Sequence, residues 1–544
     1  MKRKVICLTL LVEKSPQALP LGAACIASAI KNDPLTKEVC DVSLISFSLE
    51  DEDFLKSNAK SILEKGQFFA KKILNLFPKE NENFLKSSIV CFSVFVWNRP
   101  VLEEVAKILK EKGIVTLAGG PEITARPEAF SAFDYTVSGE GEIKVPRLIY
   151  KIISGKDAEN QETLLPDLNK ISSPYLDGTL DAKEFSGALW ELARGCPFKC
   201  SYCYESKGEK KVRLFPMERI KKELDLFAKE KIPQVFVLDP TYNADKKRAT
   251  EILNLIAKKT PDTFYYFEAR AEFIDWELAK AFTKIPCSIQ IGLQTANEEV
   301  AKNLHRPFNR KLFVKNINLL NQAGAVFGLD LIYGLPLDTL KSFKESVDFA
   351  ISLYPNNLEI FCLSVLPGTD LFDRSKELNL TFQKEPPYHV LYTDKFSAQD
   401  LETARKIAEG CSFFYNDGRA VPWFNTICRA LKIRANLFFL QFYEWLLKEK
   451  NLDPSASCKM KHEEIEILQL NFVKEIFGQK KILHLFKAAH DIIIFNGAMS
   501  RKTDCGKSQI LKLNYPVSYI DSEYALNLEF FARNVKEKPS VVKI

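Results

Sequence analysis

Apolar runs of strand length alternate with stretches of helical periodicity over most of this chain. Val5 to Val12 is such a run, of the kind found in a parallel strand buried on both faces. Pro20-Leu21-Gly22 opens a predicted helix at Ala23 to Lys31. Val42 to Phe47, Ile89 to Val96, Val115 to Ala118 and a short segment from Tyr135 read as further strands. Predicted helices at Leu55 to Phe77 and Val101 to Lys112 fill crossovers between them. Strand–helix alternation of this kind predicts a doubly wound, Rossmann-like α/β domain over residues 1–153.

Ser154 to Phe185 is rich in Gly, Asp, Asn, Ser and Pro and lacks periodicity, so 154–185 reads as a linker. Alternation then resumes. Ala188 to Ala193, Val235 to Leu238, Thr263 to Ala269, Ser288 to Leu293, Val326 to Ile332 and Asn357 to Ser364 are predicted strands. Helices are predicted at Met217–Lys231, Ala249–Lys259, Trp276–Phe282, Lys311–Ala323 and Leu340–Leu353. Six βα units over residues 186–395 predict a partial (β/α)6 barrel rather than a closed eightfold one. Residues 396–544 predict a mostly helical domain, with helices at Ala398–Phe414, Phe424–Lys448, Glu463–Phe477 and Leu483–Asp491. Trp423, Phe424, Phe438, Phe439, Phe442, Tyr443 and Trp445 make this region aromatic-rich, a stripe that fits helix-packing core better than a ligand box.

Composition narrows the function classes. The 544 residues are 46% apolar and 27% charged, an ordinary globular balance. The net charge of +6 is spread over 76 basic and 70 acidic residues without a basic tract, which disfavours nucleic acid as a partner. No apolar run approaches the roughly 20 residues of a membrane span. Met1-Lys-Arg-Lys followed by Val5–Val12 mimics a signal peptide, but Glu13-Lys14-Ser15-Pro16 follows with no small-residue cleavage site, so a buried first strand is preferred. Of thirteen cysteines, ten are scattered: Cys7, Cys25, Cys40, Cys91, Cys287, Cys362, Cys411, Cys428, Cys458 and Cys505. They read as buried small hydrophobes in a reducing, cytoplasmic setting.

The other three form Cys196-x-x-x-Cys200-x-x-Cys203, directly after the predicted barrel's first strand. Three soft thiolates suit an iron–sulfur cluster held at three irons and open at the fourth. A structural zinc site is the alternative, although it wants four ligands and no second knuckle follows at zinc-finger spacing; unliganded core cysteines are a third reading. Active-site groups of such barrels collect at the carboxyl ends of strands. Here those ends carry Asp239, Arg270, Gln294 and the turns Gly334-Leu335-Pro336 and Pro367-Gly368-Thr369.

The cysteine spacing, with Tyr202 before the last cysteine, resembles that of the radical SAM enzymes. In that family the open iron chelates S-adenosylmethionine, and an electron from the cluster cleaves it to a 5′-deoxyadenosyl radical. The resemblance implies cluster ligation by Cys196, Cys200 and Cys203, and an adenine contact for Tyr202. It also implies methionyl contacts for Asp239 and Arg270, a ribose or substrate contact for Gln294, and an adenine-side turn at Pro367-Gly368. An ion pair between Asp239 and Arg270 on the barrel rim is the bland alternative. Upstream, Leu21-Gly22, Ser93, Gly119-Gly120-Pro121 and Gly139-Glu140-Gly141-Glu142 fall in the order seen in the cobalamin-binding domain of one branch of that family. No histidine precedes His305, so none from this domain could ligate cobalt. The resemblance implies three cofactors: a [4Fe-4S] cluster, S-adenosylmethionine and cobalamin. It further implies an electron donor such as a flavodoxin or ferredoxin, and methyl transfer to, or rearrangement of, an unactivated carbon. A radical SAM enzyme that has lost cobalamin, and a non-catalytic iron–sulfur or zinc protein binding a partner, are the other readings.

Overall fold

The computed structural model describes residues 2–77, 85–156, 165–207, 211–455 and 460–544. Its first sheet contains β1 (Arg3–Leu11), β2 (Cys40–Ser48), β3 (Ile89–Ser93), β4 (Val115–Gly119) and β5 (Tyr135–Val137). All pairings are parallel, in the order β2-β1-β3-β4-β5. Alternate side chains of β1 feed two cores. Ile6, Leu8 and Leu10 pack on one face; Val5 and Cys7 pack on the other, with Ala23, Ala27 and Ile30 of the helix Leu21–Asn32. Burial on both faces is what makes the strand read as one apolar run. The winding reverses between β1 and β3, which opens a crevice beyond their carboxyl ends. The helix expected at Leu55–Phe77 is two helices, Glu52–Lys56 and Ile62–Leu74. Asn58 is left-handed between them (φ 54°), and Ser61 restarts the helix through a capping box with Glu64.

The second sheet starts with β6 (Ala188–Trp190). A short antiparallel ribbon, β7 (Ala193–Arg194) with β8 (Arg213–Leu214), brackets the cysteine loop. The sheet continues as β9 (Gln234–Val237), β10 (Phe264–Ala269), β11 (Cys287–Gln294), β12 (Phe327–Tyr333) and β13 (Asn357–Cys362). These six parallel strands are ordered β13-β12-β11-β10-β9-β6, the open barrel that the alternation predicts. The described part of the preceding segment is tightly packed. Tyr175, Leu180 and Ala182 share the barrel core, and the Tyr175 hydroxyl donates to Leu189 O (2.8 Å) and accepts from Leu189 N (3.1 Å). Asp177 accepts hydrogen bonds from Ser28 (2.5 Å) and Asn32 (2.8 Å), tying the same segment to the first domain.

Within the barrel strands, Tyr265, Phe267, Ile289, Ile291, Leu329 and Leu331 are buried in the core. The alternate residues face the open concave side in rows set by the parallel register. Phe236 opposes Tyr266 and stacks on it at 4.3 Å; Glu268 opposes Gln290; Asp330 opposes Glu359. Gln290 donates to Asp330 at 2.5 Å.

The helical region shares one continuous core with the barrel. Its helices are Ala398–Cys411, Phe424–Leu431, Ala435–Lys450, His462–Gln479 and Phe486–Cys505. The single helix expected at Phe424–Lys448 breaks where Lys432 turns left-handed (φ 52°) and Arg434 is extended. The helix expected at Leu483–Asp491 starts at Phe486 and continues to Cys505. The aromatic stripe is core: Phe414, Phe424, Phe438, Phe439 and Phe442 are fully buried, with Phe414 edge-on to Trp423, Phe424, Phe438, Phe442 and Phe472. A π-helical turn at Ser412–Asp417 swings Asn416 against the barrel's edge strand. There the Asn416 side chain accepts from Leu358 N (2.9 Å) and donates to Leu358 O (3.0 Å), standing in for a neighbouring strand. Among the described residues no helix is long and apolar enough to cross a membrane.

Two outcomes follow for stability. Asn416→Leu orphans Leu358 N and leaves Leu358 O only the Cys411 thiol at 3.9 Å, at about 1–3 kcal/mol per orphaned group, and should lower the thermal midpoint measured by calorimetry. Burial pushes the Asp330 carboxyl up to about 7 despite the Gln290 hydrogen bond, with Glu268 and Glu359 adding to the rise. The folded chain thus keeps a proton that the unfolded chain releases above about pH 4. That stabilisation is complete below about pH 4 and is lost as pH rises through about 7. In thermal melts of the cofactor-free chain, Asp330→Asn should show a shallower decline between pH 5 and 7.5 than the wild type; parallel declines would refute the assignment.

Candidate functional site

The cysteine loop is gathered by strand ends from across the barrel. Its base is zipped by the Ala193–Leu214 and Arg194–Arg213 pairs. Its middle is pinned by backbone hydrogen bonds: Ser201 N donates to Leu304 O (2.9 Å), after β11, and Leu371 N, after β13, donates to Ser201 O (2.7 Å). Cys200 is buried, while Cys196 and Cys203 are part-exposed. Thr241, beyond β9, lies 4.0 Å from the Cys196 sulfur. Arg306 donates to the Cys200 sulfur at 3.7 Å and to Gly292 O at 2.5 Å. Burial pushes the Cys203 thiol up to about 11, so its thiolate wants positive charge beside it. Among the described residues no three His, Cys, Asp or Glu side chains converge tightly enough to hold a single metal ion. A cubane cluster uses its thiolates differently, one per corner iron, and so takes a wider spread of soft donors on one loop. Three thiols with a guanidinium alongside fit that demand by donor chemistry.

Other predicted residues lie on the same rim. Asp239 is buried and its Oδ1 accepts from Leu192 N (2.8 Å) and Ala193 N (3.0 Å), which orients the strand leading into the cysteine loop. Burial pushes this carboxyl to about 7 in spite of those hydrogen bonds. Arg270 pairs with Glu272 (2.6 Å) rather than with Asp239, and stacks 3.8 Å above the ring of Phe198, between the first two cysteines. The rim ion pair of Asp239 with Arg270 is therefore not what forms. Gln294 ends β11 in a left-handed conformation (φ 68°), with its buried Oε1 unpartnered. Tyr202 is part-buried and packs on the barrel core. Gly368, after Pro367, has φ 84°; a Cβ there would come within 3.1 Å of Tyr204 and 3.2 Å of Ala125, so only glycine lets the turn meet both domains.

The first domain and the barrel flank a half-open cavity of about 1140 Å³. Leu21, Gly22, Ser93, Gly119, Gly120, Pro121, Gly139, Glu140, Gly141 and Glu142 all line it, as does Gly368. It lies in the crevice at the β1/β3 reversal, where open parallel sheets bind ligands. Gly120 (φ 109°) is pressed so close to Val94 that a Cβ would sit 2.6 Å from its carbonyl oxygen. Trp97, half-exposed in the cavity, stacks on Phe95 at 4.5 Å and nearly parallel, a flat apolar surface. On the barrel side Gly195 and Tyr204, which bracket the three cysteines, line the same space. The volume exceeds that of an ordinary small-ligand pocket and suits a macrocycle. The residues present fit a corrinoid in size, flatness and glycine-lined walls.

Several members of the site were not anticipated from sequence. Arg306 comes from a loop beyond a helix after β11, and only its proximity to Cys200 marks it out. Arg194 and Arg213 take up the carboxylates of Glu140 and Glu142. Glu268, Asp330 and Glu359 become neighbours only through the barrel's register. Of the scattered cysteines, Cys505 is exposed rather than buried, at the end of its helix, Cys362 is part-exposed, and Cys458 lies outside the described residues. No disulfide joins the described cysteines.

A family model described as the Radical SAM superfamily matches residues 190–350. A second, described as a protein of unknown function (DUF4080), matches residues 376–505. The cobalamin-dependent radical SAM methyltransferase TokK of Streptomyces tokunonensis is 24% identical over 335 residues, 53% of this chain and 49% of that protein. The 2-(S-pantetheinyl)-carbapenam-3-carboxylate methyltransferase of Streptantibioticus cattleyicolor is 26% identical over 340 residues, 52% of this chain and 48% of its own length. The chain thus spans about half the length of these curated relatives. In fold it is similar to the radical S-adenosylmethionine methyltransferase TsrM from Kitasatospora setae (TM-score 0.56, 15% identity, 74% of this chain and 82% of that one). It is also similar to the cobalamin-dependent S-adenosylmethionine radical enzyme OxsB with aqua-cobalamin bound (TM-score 0.56, 14% identity, 98% of this chain and 85% of that one). With the three-cysteine loop inside the matched segment and a glycine-walled cavity beside it, residues 190–350 form a domain of the Radical SAM superfamily, in a chain that shares the fold of the solved TsrM and OxsB structures.

Proposed function

We propose that this chain is a cobalamin-dependent radical SAM enzyme that transfers a methyl group to, or rearranges, an unactivated carbon of its substrate. The observation that carries this reading is the single cavity whose one wall is the glycine-rich strand ends of the first sheet and whose other wall is the base of the cysteine loop. When bound, the cluster, S-adenosylmethionine and corrinoid supply the radical and the methyl carrier, and the protein's task is to hold and orient them.

The residues divide that task. Cys196, Cys200 and Cys203 hold the cluster. Arg306 sits against Cys200 with a part-buried guanidinium, placed to neutralise thiolate charge or to take a carboxylate. Gln294, with a buried unpartnered acceptor, offers a hydrogen bond to a donor such as a ribose hydroxyl. Asp239 acts at one remove, fixing the backbone of Leu192 and Ala193. Gly22, Gly119 and Gly120 keep the corrinoid wall free of side chains, and the Phe95–Trp97 pair gives it a flat apolar patch. The concave barrel face, with its Phe236–Tyr266 stack beside carboxylates, is the surface left for substrate. An external one-electron donor such as a flavodoxin or ferredoxin completes the system.

After anaerobic reconstitution, the wild type should show cluster absorbance and reductant-dependent cleavage of S-adenosylmethionine, while Cys200→Ala should fall to the level of cluster-free chain. A cluster that forms and never supports cleavage under strong reductant would sink the reading. For the corrinoid, Gly22→Trp places an indole at the crevice, where even a Cβ is 3.3 Å from the Ser93 hydroxyl. Retention of hydroxocobalamin through gel filtration should weaken by about tenfold or more, roughly 1.4 kcal/mol, with the thermal midpoint unchanged. Equal retention by the two proteins, or none by the wild type at saturating supply, would contradict the placement.

A further inference from the structure

The turn Gly139-Glu140-Gly141-Glu142 lines the cavity, yet its carboxylates are spoken for. Arg194, two residues before the first cysteine, donates from Nη1 to Glu140 (2.7 Å) and from Nε and Nη2 to Glu191 (3.2 and 3.0 Å), and its Nη2 forms an ion pair with Glu142 (2.7 Å). Its side chain is only 13% exposed and that of Glu142 only 7%. Arg213, cross-strand from Arg194, reaches the other oxygen of Glu140 and donates to Pro166 O (3.0 Å). Both stems of the cysteine loop are therefore clamped to Glu140 on the other domain, and Arg194 reaches Glu142 as well. A planar guanidinium spends its fork on three carboxylates here, a geometry that an ammonium cannot reproduce. With so little water to screen it, the arrangement is costly to open from one side alone, since loss of the cation leaves Glu142 and Glu191 without their guanidinium and Glu140 with Arg213 alone.

We propose that Arg194 is a positioning residue: through Glu140 and Glu142 it makes the cavity wall and the base of the cysteine loop one mechanical unit, so that neither can shift without the other. The inference goes beyond the reading of the cavity as a corrinoid site and holds whichever ligand the cavity takes. It also changes the part played by Glu140 and Glu142, from cofactor contact to anchor for the cluster loop. Arg213 supplies a second tie to the same turn, through Glu140 alone.

Hydrogen exchange on the full-length, cofactor-free chain tests this without reference to activity. In Arg194→Met, peptides covering residues 195–205 and 138–143 should accelerate together, by about tenfold, while β1 and β12 keep their wild-type protection. Glu142→Gln should accelerate the same two segments less. The double variant should exchange no faster than Arg194→Met alone, because the ion pair that Glu142→Gln breaks is already lost with Arg194. Arg194→Lys, which keeps the charge without the fork, should fall between wild type and Arg194→Met and serves if the methionine variant proves too unstable. Acceleration of 195–205 without 138–143, multiplicative effects in the double variant, or unchanged exchange in both segments would each overturn the proposal.

Discussion

Parallel strands put their carboxyl ends on one side of a sheet, and this chain turns two such sides toward each other. Everything chemically distinctive follows from that constraint. The glycine turns of the first sheet, the cysteine loop after β6, Asp239 after β9, Arg270 after β10 and Gly368 after β13 are far apart in sequence and adjacent only because each ends a strand. The cost is that unlike loops with many charges must share one interior. The chain meets it with pairing: Glu140, Glu142 and Glu191 against Arg194, Glu122 against Arg99 and Tyr388 (2.7 Å from the tyrosine hydroxyl), and Glu272 against Arg270. Two of these sets join the first domain to the barrel, and both are largely buried, where opposite charges left unpaired are costly.

Much of this was legible in the sequence because the relevant signals are local. A three-cysteine spacing, a Gly-Gly-Pro turn or an apolar run is fixed within ten residues or so, and the structure puts the glycine turns and the cysteine loop beside one another as strand ends should be. The aromatic residues of the helical region also read correctly as core, since their number alone demands burial. Helix limits were less legible. A single residue able to turn left-handed, Asn58 or Lys432, divides a run whose periodicity continues across it.

What sequence could not supply was pairing between distant segments. Nothing local distinguishes the glutamates of Gly139-Glu140-Gly141-Glu142 as cofactor contacts from the same residues as partners of two arginines more than fifty positions away. Arg306 is one of many basic residues until β11 and its following helix bring it to Cys200. Asn416 lies two residues beyond the predicted helix Ala398–Phe414 and reads as an ordinary polar residue, and only the widened turn makes it the closing partner of an edge strand. Each depends on tertiary register, which propensity and spacing do not encode.

The central claim is that one chain seats a cluster on Cys196, Cys200 and Cys203 and a corrinoid in the neighbouring cavity at the same time. Metal analysis of the wild-type chain, supplied anaerobically with iron, sulfide and hydroxocobalamin and then gel-filtered, addresses it directly. The account predicts iron and cobalt co-eluting at about four to one per chain. Iron at that level with cobalt left in the small-molecule fractions would contradict it.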